Sequence, residues 1–326
     1  MSPSTVSRAF NHPEMVNPAT RKRITRAVDR LGYIRNRAAQ AMHGRRSGSI
    51  GLIVPTINHT IFSEVIQSFS DAIDAAGFTL LIASHGYDLD REYAMMRKLL
   101  EHRVDGLALI GLEHSQASLN LIDQQGIPAI AIWNFNADAR MSCVGADNGE
   151  AGRMAARHLL ELGHRRIGLI FPQTRGNDRA AQRLAGARAA LSGAGVRIPE
   201  DWQSEAPYSI AQAKRAAAEL LTGPQRPTAL LCGNDVIAQG AVYAAQKMAL
   251  NVPGDVSIIG IGDFKGSEDL EPPLTTIRIP AHDIGTVAGE NFTRMITSAD
   301  TTLFRYRCEL ACVARATTSP APRAAL

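Results

Sequence analysis

Short apolar runs rich in β-branched residues alternate with amphipathic helical segments over most of this chain, and this alternation limits its possible folds more than any other feature. The apolar runs predict strands in two series, at 49–54, 79–83, 106–110 and 128–132, and at 166–171, 229–232 and 256–260. The segments between them predict helices at 61–76, 89–102, 149–162, 179–194, 210–221 and 236–247. Repeated strand–helix units with short loops form parallel sheets covered on both faces. We therefore predict two doubly wound α/β lobes, whose ligands bind beyond the carboxyl ends of the strands.

The first 46 residues lack this alternation and follow a helical pattern instead. Ser2 and Asn17 each precede a proline, which is the signal of a capped helix start. The second of these helices has an apolar stripe and a basic stripe, and Gly32 is its expected stop. A glycine-rich, basic stretch follows at 43–49. The sequence therefore predicts a small helical domain before the α/β lobes.

Positive charge is concentrated in the same 46 residues. They contain ten basic and two acidic side chains, whereas the whole chain has 35 basic and 31 acidic residues. A basic arm on a mildly acidic body indicates that the arm binds a polyanion. The basic residues are Arg8, Arg21, Lys22, Arg23, Arg26, Arg30, Arg35, Arg37, Arg45 and Arg46, and the acidic residues are Glu14 and Asp29.

Several classes of protein are disfavoured by what the sequence lacks. No uninterrupted apolar stretch is long enough to span a membrane, and residues 1–15 lack the apolar core of a secretory signal, so we expect a cytoplasmic protein without a membrane partner. The cysteines show no C-x-x-C spacing and are interpreted as reduced, mostly buried thiols. They are Cys143, Cys232, Cys308 and Cys312. We expect neither a metal nor a cofactor.

The first predicted helix is amphipathic. One side carries Ser4, Ser7 and Arg8, and the other carries Val6, Ala9 and Phe10. A helix with hydroxyls and an arginine on its outer side, followed by a basic helix, suits insertion into the major groove of DNA. The pattern alone fits a solvated helix at a frayed terminus equally well.

A longer motif favours the DNA-binding interpretation. Residues 2–42 follow the pattern SxxTVSRAFNxxxxVxxxTRxRIxxAxxxLGYxxNRAAQAM without gaps. This pattern resembles the second half of the headpiece of the LacI family of bacterial transcription regulators, from its recognition helix through its third helix to its hinge. The resemblance continues over the whole chain, with RVDG at 103–106, VGADN at 144–148, RLAG at 183–186, CGND at 232–235 and PLTTI at 273–277.

The resemblance implies a fold and a function. The fold is α/β, with a small all-α helix-turn-helix headpiece and two doubly wound parallel-sheet lobes of the periplasmic-binding-protein type. Residues 1–46 would form a partial headpiece with a hinge helix, and residues 47–326 an effector-binding and dimerisation domain. Its lobes would comprise 47–146 with 280–305, and 147–279 with 306–318. The implied function is that of a DNA-binding repressor whose operator affinity is controlled by a small molecule bound between the lobes.

Residues for contact with double-stranded operator DNA follow from the same resemblance. Pro3, Ser4 and Arg8 would face base edges. The residues expected to contact phosphates or cap helices are Thr5, Ser7, Asn11, Asn17, Thr20 and Arg21. The hinge helix would include Asn36, Ala39 and Met42, with the methionine inserted into the minor groove. Two departures from the family are Arg35, where a proline is common, and Pro3, which cannot donate a side-chain hydrogen bond.

The chain also departs from the family headpiece at its start. Relatives begin with a further helix and turn of about ten to fifteen residues before the recognition helix. We expect this helix to be encoded in frame upstream of a start codon placed too late; a shortened chain and a protein evolved without the helix are the alternatives. Because the helix crosses the DNA backbone and completes the small core, the chain as given is expected to bind DNA weakly.

The resemblance places a third set of residues in or near an effector pocket between the lobes. They are Phe62, Trp133, Asp147, Asn177, Arg179, Arg183, Tyr208, Asn234 and Asp263. Aromatic faces stack on sugar or purine rings, and aspartate, asparagine and arginine read hydroxyls or a carboxylate, although each residue type also fits a structural role. Gly262 stands where many relatives have an aspartate, and Lys265 follows. This less negative pocket favours a sugar acid over a neutral sugar or a purine.

Two other classes of protein remain open from the residues alone. An enzyme is disfavoured because no G-x-S-x-G, H-E-x-x-H or P-loop motif is present, and the glycines at 260–262 lack the third glycine of a dinucleotide loop. A secreted sugar-binding protein of the same two-lobed fold is disfavoured by the basic headpiece. We expect a homodimer, because no leucine heptad follows Arg315, and we expect residues 317–326 to be disordered.

Two arginines should respond differently to substitution in a chain that carries the complete headpiece. Arg8 can make a bidentate contact with guanine, so Arg8→Ala should cost about 1–3 kcal/mol on the operator and remove discrimination at one G·C pair. Arg21→Ala should weaken binding to all sequences alike and lower the salt slope by about one. Selection of operators from a random pool, with salt titrations, measures both effects. A consensus that keeps its guanine after Arg8→Ala would contradict the assignment.

Overall fold

Residues 2–34, 46–58, 62–223, 225–298 and 302–322 are described by the computed structural model of this protein. The chain divides into two units, Met1–Ser47 and Gly48–Leu326. The expected hinge residues Asn36, Ala39 and Met42 lie outside the described residues. The domain and lobe limits taken from the family resemblance stay predictions.

The N-terminal unit is helical. It consists of α1 (Pro3–Asn11), a 3-10 turn (Pro13–Met15) and α2 (Pro18–Leu31). The side chain of Ser2 accepts a hydrogen bond from Thr5 N–H, and the side chain of Asn17 accepts one from Ala19 N–H. Gly32 follows α2 in the left-handed conformation, with φ 58°. Both start signals and the stop predicted from the sequence are confirmed.

The C-terminal unit alternates strands and helices. It begins with β1 (Ser49–Val54), α3 (Ser63–Ala75), β2 (Thr79–Ser84), α4 (Leu89–Glu101), β3 (Gly106–Ile110), α5 (Gln116–Gln125), β4 (Ala129–Asn134) and β5 (Ser142–Ala146). It continues with α6 (Asn148–Glu161), β6 (Ile167–Phe171), α7 (Asp178–Gly193), β7 (Gln203–Glu205), α8 (Ile210–Leu221), β8 (Ala229–Cys232), α9 (Asp235–Lys247), β9 (Ser257–Gly262) and β10 (Thr275–Arg278). The last elements are α10 (Ala281–Ser298), β11 (Arg305–Arg307) and β12 (Ala311–Val313).

These strands form two sheets of the same topology. The strand order is β2-β1-β3-β4-β5-β11 in the first sheet and β7-β6-β8-β9-β10-β12 in the second. The neighbouring strands described are parallel, except that β10 and β12 are antiparallel. In each sheet the chain starts in an interior strand and winds outward in both directions, which confirms the predicted doubly wound α/β fold. The carboxyl ends of the parallel strands therefore share one edge of each sheet.

Helices cover the interior strands on both faces. All residues of β3 and β5 are buried, whereas the edge strand β2 leaves Ile82 46% exposed. This burial explains why the interior strands are continuous apolar runs rather than alternating ones. Cys143, Cys232 and Cys308 are buried, Cys312 is exposed, and all four are free thiols. Within the described ranges, no helix is long and apolar enough to cross a membrane.

The C-terminal segment contributes a strand to each sheet. Strand β11 pairs with β5, and β12 pairs with β10. Beyond β12, the buried hydroxyl of Thr317 donates to the carbonyl of Ile258 at 2.7 Å. The ring of His164 lies 3.0 Å from the carbonyl oxygen of Ser319. The expectation of disorder is therefore wrong for residues 317–322, because this segment forms hydrogen bonds with buried groups of the second sheet.

Helices α6 and α7 are in backbone contact. A Cβ on Gly152 would lie 1.9 Å from the carbonyl oxygen of Arg183, and a Cβ on Gly186 would lie 2.0 Å from that of Gly149. No side chain fits at these distances, so glycine at both positions allows the close approach. The contact fixes Arg183 beside Asn148 at the start of α6.

This contact predicts opposite effects for two alanine substitutions on α7. Gly186→Ala should lower the free energy of unfolding by about 1–3 kcal/mol, because the helices must separate. Gly193→Ala, where a Cβ meets nothing within 4 Å, should raise the free energy of unfolding. The expected gain is about 0.5–1 kcal/mol, because alanine loses less backbone entropy in a helix. Urea denaturation followed by circular dichroism measures both, and equal effects would contradict the proposed role of the contact.

Candidate functional site

The carboxyl ends of strands in both sheets bring polar and aromatic side chains together. Trp133 and Asn134 end β4, and Asn148 begins α6 directly after β5. In the second sheet, Asn177 caps α7 after β6, and Asn234 caps α9 after β8. Doubly wound folds bind their ligands at this edge.

Trp133 and Phe62 form the aromatic part of the site. Their rings meet edge to face with centroids 5.3 Å apart, and the guanidinium carbon of Arg179 lies 5.8 Å from the Phe62 ring centroid. Trp133 is 1% exposed, and its indole Nε1 has no hydrogen-bond partner among the described residues. Its φ is 86°, a conformation that is strained for a bulky residue and is concentrated at functional sites.

Asp178 connects α7 to the loops of the first sheet. One carboxylate oxygen accepts hydrogen bonds from Leu112 N–H at 2.7 Å, Glu113 N–H at 3.2 Å and Asn134 Nδ2 at 2.9 Å. The other oxygen accepts a hydrogen bond from Arg179 Nη1 at 2.9 Å. The charge of Arg179 is therefore already balanced by a neighbouring carboxylate.

A chain of buried hydrogen bonds continues from Asn134 into the second sheet. Asn148 Nδ2 donates to Asn134 Oδ1 at 3.3 Å, and Arg183 Nε donates to Asn148 Oδ1 at 2.8 Å. Arg183 Nη1 donates to the carbonyl oxygen of Gly233 at 3.1 Å. Both asparagines are fully buried, so these bonds hold the ends of β4, β5 and β8 together.

Arg183 differs from Arg179 in its charge environment. The residue is 3% exposed, and burial lowers its pKa to about 10, so the guanidinium stays protonated at neutral pH. Among the described residues, no acidic side chain forms an ion pair with it. A buried cation without an ion-pair partner is energetically costly, which makes Arg183 a candidate for binding an anion.

Two tyrosines from opposite sheets lie next to this network. The Asn177 amide donates to the Tyr208 hydroxyl at 3.0 Å, and the rings of Tyr208 and Tyr87 are 6.1 Å apart. Tyr87 follows β2, and Tyr208 follows β7. Burial raises the pKa of Tyr87, so its phenol stays uncharged.

Two predicted site residues act as helix caps. Asp147 accepts a hydrogen bond from Glu150 N–H at 2.8 Å, and its side chain is 33% exposed. Asn234 accepts one from Ile237 N–H at 3.0 Å, while its Nδ2 is buried without a partner. Both caps follow strands at the ligand-binding edge, and only Asn234 keeps a buried donor available.

Asp263 makes a different set of contacts. Its two carboxylate oxygens lie 2.7 Å from Arg315 Nη1 and 2.7 Å from Arg278 Nε. It lines a cavity of about 760 Å³ together with Gly262 and Lys265. None of its described hydrogen bonds or ion pairs joins it to the other predicted effector residues, so its place in the effector site stays a prediction.

Several residues of this site were not predicted from the sequence. Asn134 ends β4, Asn148 and Tyr87 closely follow β5 and β2, and Asp178 begins the helix that follows β6. Their position after a strand could have identified them from the sequence, because the carboxyl ends of strands carry ligand-binding groups in doubly wound folds. The hydrogen-bond partners of Asn134, Asn148 and Asp178 depend on which strands are neighbours, and the sequence pattern does not give the strand order.

The described DNA-contact candidates are divided between the outside and the inside of the headpiece. Pro3, Ser4, Ser7 and Arg8 are exposed on α1, whereas Val6, Ala9 and Phe10 are half-buried, as the amphipathic pattern predicted. Thr5 and Thr20 are half-buried, and Asn17 and Arg21 are exposed. The exposed members of this set lie on the surface of the N-terminal unit, as contact with a polyanion requires.

Trp133 provides a fluorescent reporter for the site. The chain has two tryptophans, and the second, Trp202, lies in a 3-10 turn before β7. In a Trp202→Phe protein, a ligand bound at this edge should change the remaining emission. Trp133→Phe is the control, and its Trp202 emission should not respond. A ligand that raises the melting temperature without changing Trp133 emission would contradict this location.

Comparison with known proteins adds independent findings. Residues 1–36 match the model of bacterial regulatory proteins of the lacI family, and residues 156–318 match the periplasmic binding protein-like domain. The HTH-type transcriptional repressor PurR of Escherichia coli O139:H28 is 32% identical over 290 residues, which cover 88% of this chain and 85% of PurR.

Two solved structures are similar over almost the whole chain. A LacI-family transcriptional regulator from Silicibacter pomeroyi is 25% identical with a TM-score of 0.89, covering 98% of this chain and 96% of its own. The transcriptional regulator CelR in complex with cellobiose is 26% identical with a TM-score of 0.74, covering 97% and 96%. All three relatives are transcriptional regulators. The chain therefore belongs to the LacI family and is a DNA-binding transcriptional repressor with a ligand-binding domain of the periplasmic-binding-protein type.

Proposed function

We propose that this repressor binds a sugar acid between its two sheets and that the bound acid controls its affinity for operator DNA. The single observation that carries the proposal is the buried guanidinium of Arg183, which has no acidic partner among the described residues. A neutral sugar and a purine are the alternative effectors. The proposed contacts are Phe62, Trp133, Asp147, Asn177, Arg179, Arg183, Tyr208, Asn234 and, with less support from its contacts, Asp263.

The environment of Arg183 favours an anionic ligand. Asp235 acts on it electrostatically, but that carboxylate already accepts hydrogen bonds from the hydroxyls of Ser267 and Thr276, each at 2.6 Å. Burial raises the pKa of Asp235, and the hydrogen bonds from Ser267, Thr276 and Phe264 act in the opposite direction. A ligand carboxylate would balance the guanidinium and form charge-assisted hydrogen bonds with it.

The groups around Arg183 favour a carbohydrate. Trp133 Nε1 and Asn234 Nδ2 are buried donors with no partner in the part of the chain that the structure describes, and the hydroxyl and ring oxygens of a sugar would accept from them. The rings of Phe62 and Trp133 offer an apolar surface for the C–H face of a sugar. The complex of the related CelR with cellobiose supports the same ligand class.

On the DNA side, we propose that Ser4 and Arg8 read bases and that Arg21 contacts phosphate. A homodimer would present two headpieces to a near-palindromic operator. The protein would act in the cytoplasm, where it meets the chromosome, and would release its effector chemically unchanged, without catalysis. Met42 of the hinge keeps its proposed role in the minor groove at the operator centre.

Substitution of Arg183 tests the proposed effector class. Arg183→Met keeps an unbranched apolar stem but removes the charged guanidinium, so affinity for a sugar acid should fall about ten- to a hundredfold, equivalent to about 1.5–3 kcal/mol. The affinity for a neutral sugar should change much less. Calorimetry on the full chain with D-gluconate, D-galactonate, D-glucuronate and D-galacturonate, each against its aldose, measures the difference.

Arg188→Met is the matched control for this experiment. Arg188 lies on the same helix but is exposed, and its guanidinium contacts Gln203. Its substitution should leave every affinity unchanged. Tighter binding of an aldose than of its acid, or unchanged acid affinity after Arg183→Met, would reject the sugar-acid proposal.

A further inference from the structure

A buried acid–histidine pair lies in the half of the molecule that contains the first sheet. The side chains of Glu92 on α4 and His114 after β3 are 2% and 1% exposed. His114 Nδ1 lies 3.1 Å from both carboxylate oxygens of Glu92. In the part of the chain that the structure describes, no lysine or arginine forms an ion pair with Glu92, and the His114 ring is its hydrogen-bond partner.

This pairing determines which imidazole nitrogen is available to a ligand. A carboxylate oxygen accepts hydrogen bonds, so Nδ1 of His114 is the donor, and Nε2 of the neutral ring is then an acceptor. Nε2 of His114 is buried and has no hydrogen-bond partner among the residues that the structure describes. Buried polar atoms without partners are uncommon in native proteins, so an unpaired acceptor at a ligand-binding edge is a candidate contact.

His114 lies close to the effector site proposed above. The preceding residue, Glu113, donates its N–H to Asp178, which is part of that site's network. A second buried histidine, His85, follows β2 and also has an unpartnered nitrogen, Nδ1. Burial lowers the pKa of His85, and the positive charge of Arg179 lowers it further, so these groups share one local environment.

We propose that His114 Nε2 accepts a hydrogen bond from a hydroxyl group of the effector. Glu92 is the positioning residue, because it orients the ring and fixes the tautomer that leaves Nε2 as an acceptor. His85 Nδ1 offers a second polar contact at the same edge. This inference rests on the proposed effector site and adds to it: the first sheet recognises a hydroxyl group, while Arg183 on α7 recognises the carboxylate.

The test combines a substitution at His114 with probes that lack single hydroxyl groups. In His114→Asn, the amide nitrogen can replace Nδ1 as the donor to Glu92, but the acceptor at Nε2 is lost. The probes are the four sugar acids named above and their aldoses, with single-deoxy analogues of each compound that binds. Calorimetry on the full chain gives the affinity of each protein for each probe.

The expected result is a coupling between the substitution and one hydroxyl group. His114→Asn should weaken the parent probe about three- to tenfold, the usual contribution of one neutral hydrogen bond. The analogue without the recognised hydroxyl should bind both proteins equally. His102→Asn changes an exposed histidine at the end of α4 and is the control, with no expected effect on any affinity.

Other outcomes separate this inference from the proposal on which it rests. An equal loss for every probe would indicate a structural role of His114 and overturn the inference. Failure of every probe to bind would also overturn it. Binding of aldoses but not of acids, with the coupling at His114 intact, would reject the sugar-acid proposal and support the hydroxyl contact.

A measurement on the unaltered protein avoids dependence on the folding of the variant. In ¹⁵N spectra of the histidine rings, His114 Nε2 should have the chemical shift of an unprotonated nitrogen, and the bound probe should move this shift by hydrogen bonding. The tautomer observed before binding also tests the role of Glu92. A protonated Nε2 in the complex, or no response to a probe that binds, would overturn the proposal.

Discussion

The hydrogen-bond chain through Asn134, Asn148 and Arg183 is the interaction on which the ligand-binding edge depends. Each asparagine uses its amide nitrogen as a donor and its oxygen as an acceptor, so displacement of one member disturbs the next. The chain is buried, where an unmade hydrogen bond costs most. It can form because Gly152 and Gly186 let α6 and α7 touch, which places Arg183 within reach of Asn148.

Helix α7 carries two charged residues of this edge. Asp178 in its first turn holds the loops after β3 and the end of β4, while Arg183 one turn later is a buried cation that donates to Asn148 and to the carbonyl of Gly233. A ligand that binds Arg183 would therefore contact α7, the helix whose Asp178 is hydrogen-bonded to the first sheet. If the proposed role of Arg183 holds, this arrangement would be a physical route by which the effector changes the relation between the two sheets.

The distribution of buried charge gives the site its chemical character. Arg179 is neutralised by Asp178, and Glu92 is paired with His114, so both have local partners. Arg183 forms no ion pair among the described residues, and in the same part of the chain the neighbouring buried donors of Trp133 and Asn234 have no hydrogen-bond partner. The surrounding contacts hold these groups together at one edge of the sheets. A polar ligand would supply the hydrogen-bond partners that they lack among the described residues.

The sequence by itself determined the class of fold and the position of many elements. The strands at 49–54, 106–110 and 229–232 have the predicted bounds, because hydrophobic runs and flanking turn residues are local signals. Tertiary structure decided the rest. The partnership of Glu92 with His114, the link from Asn134 to Arg183 and the ordered position of Thr317 join residues far apart in the chain. Such contacts follow from strand order and helix packing, which depend on how distant segments meet and not on any local pattern of residues.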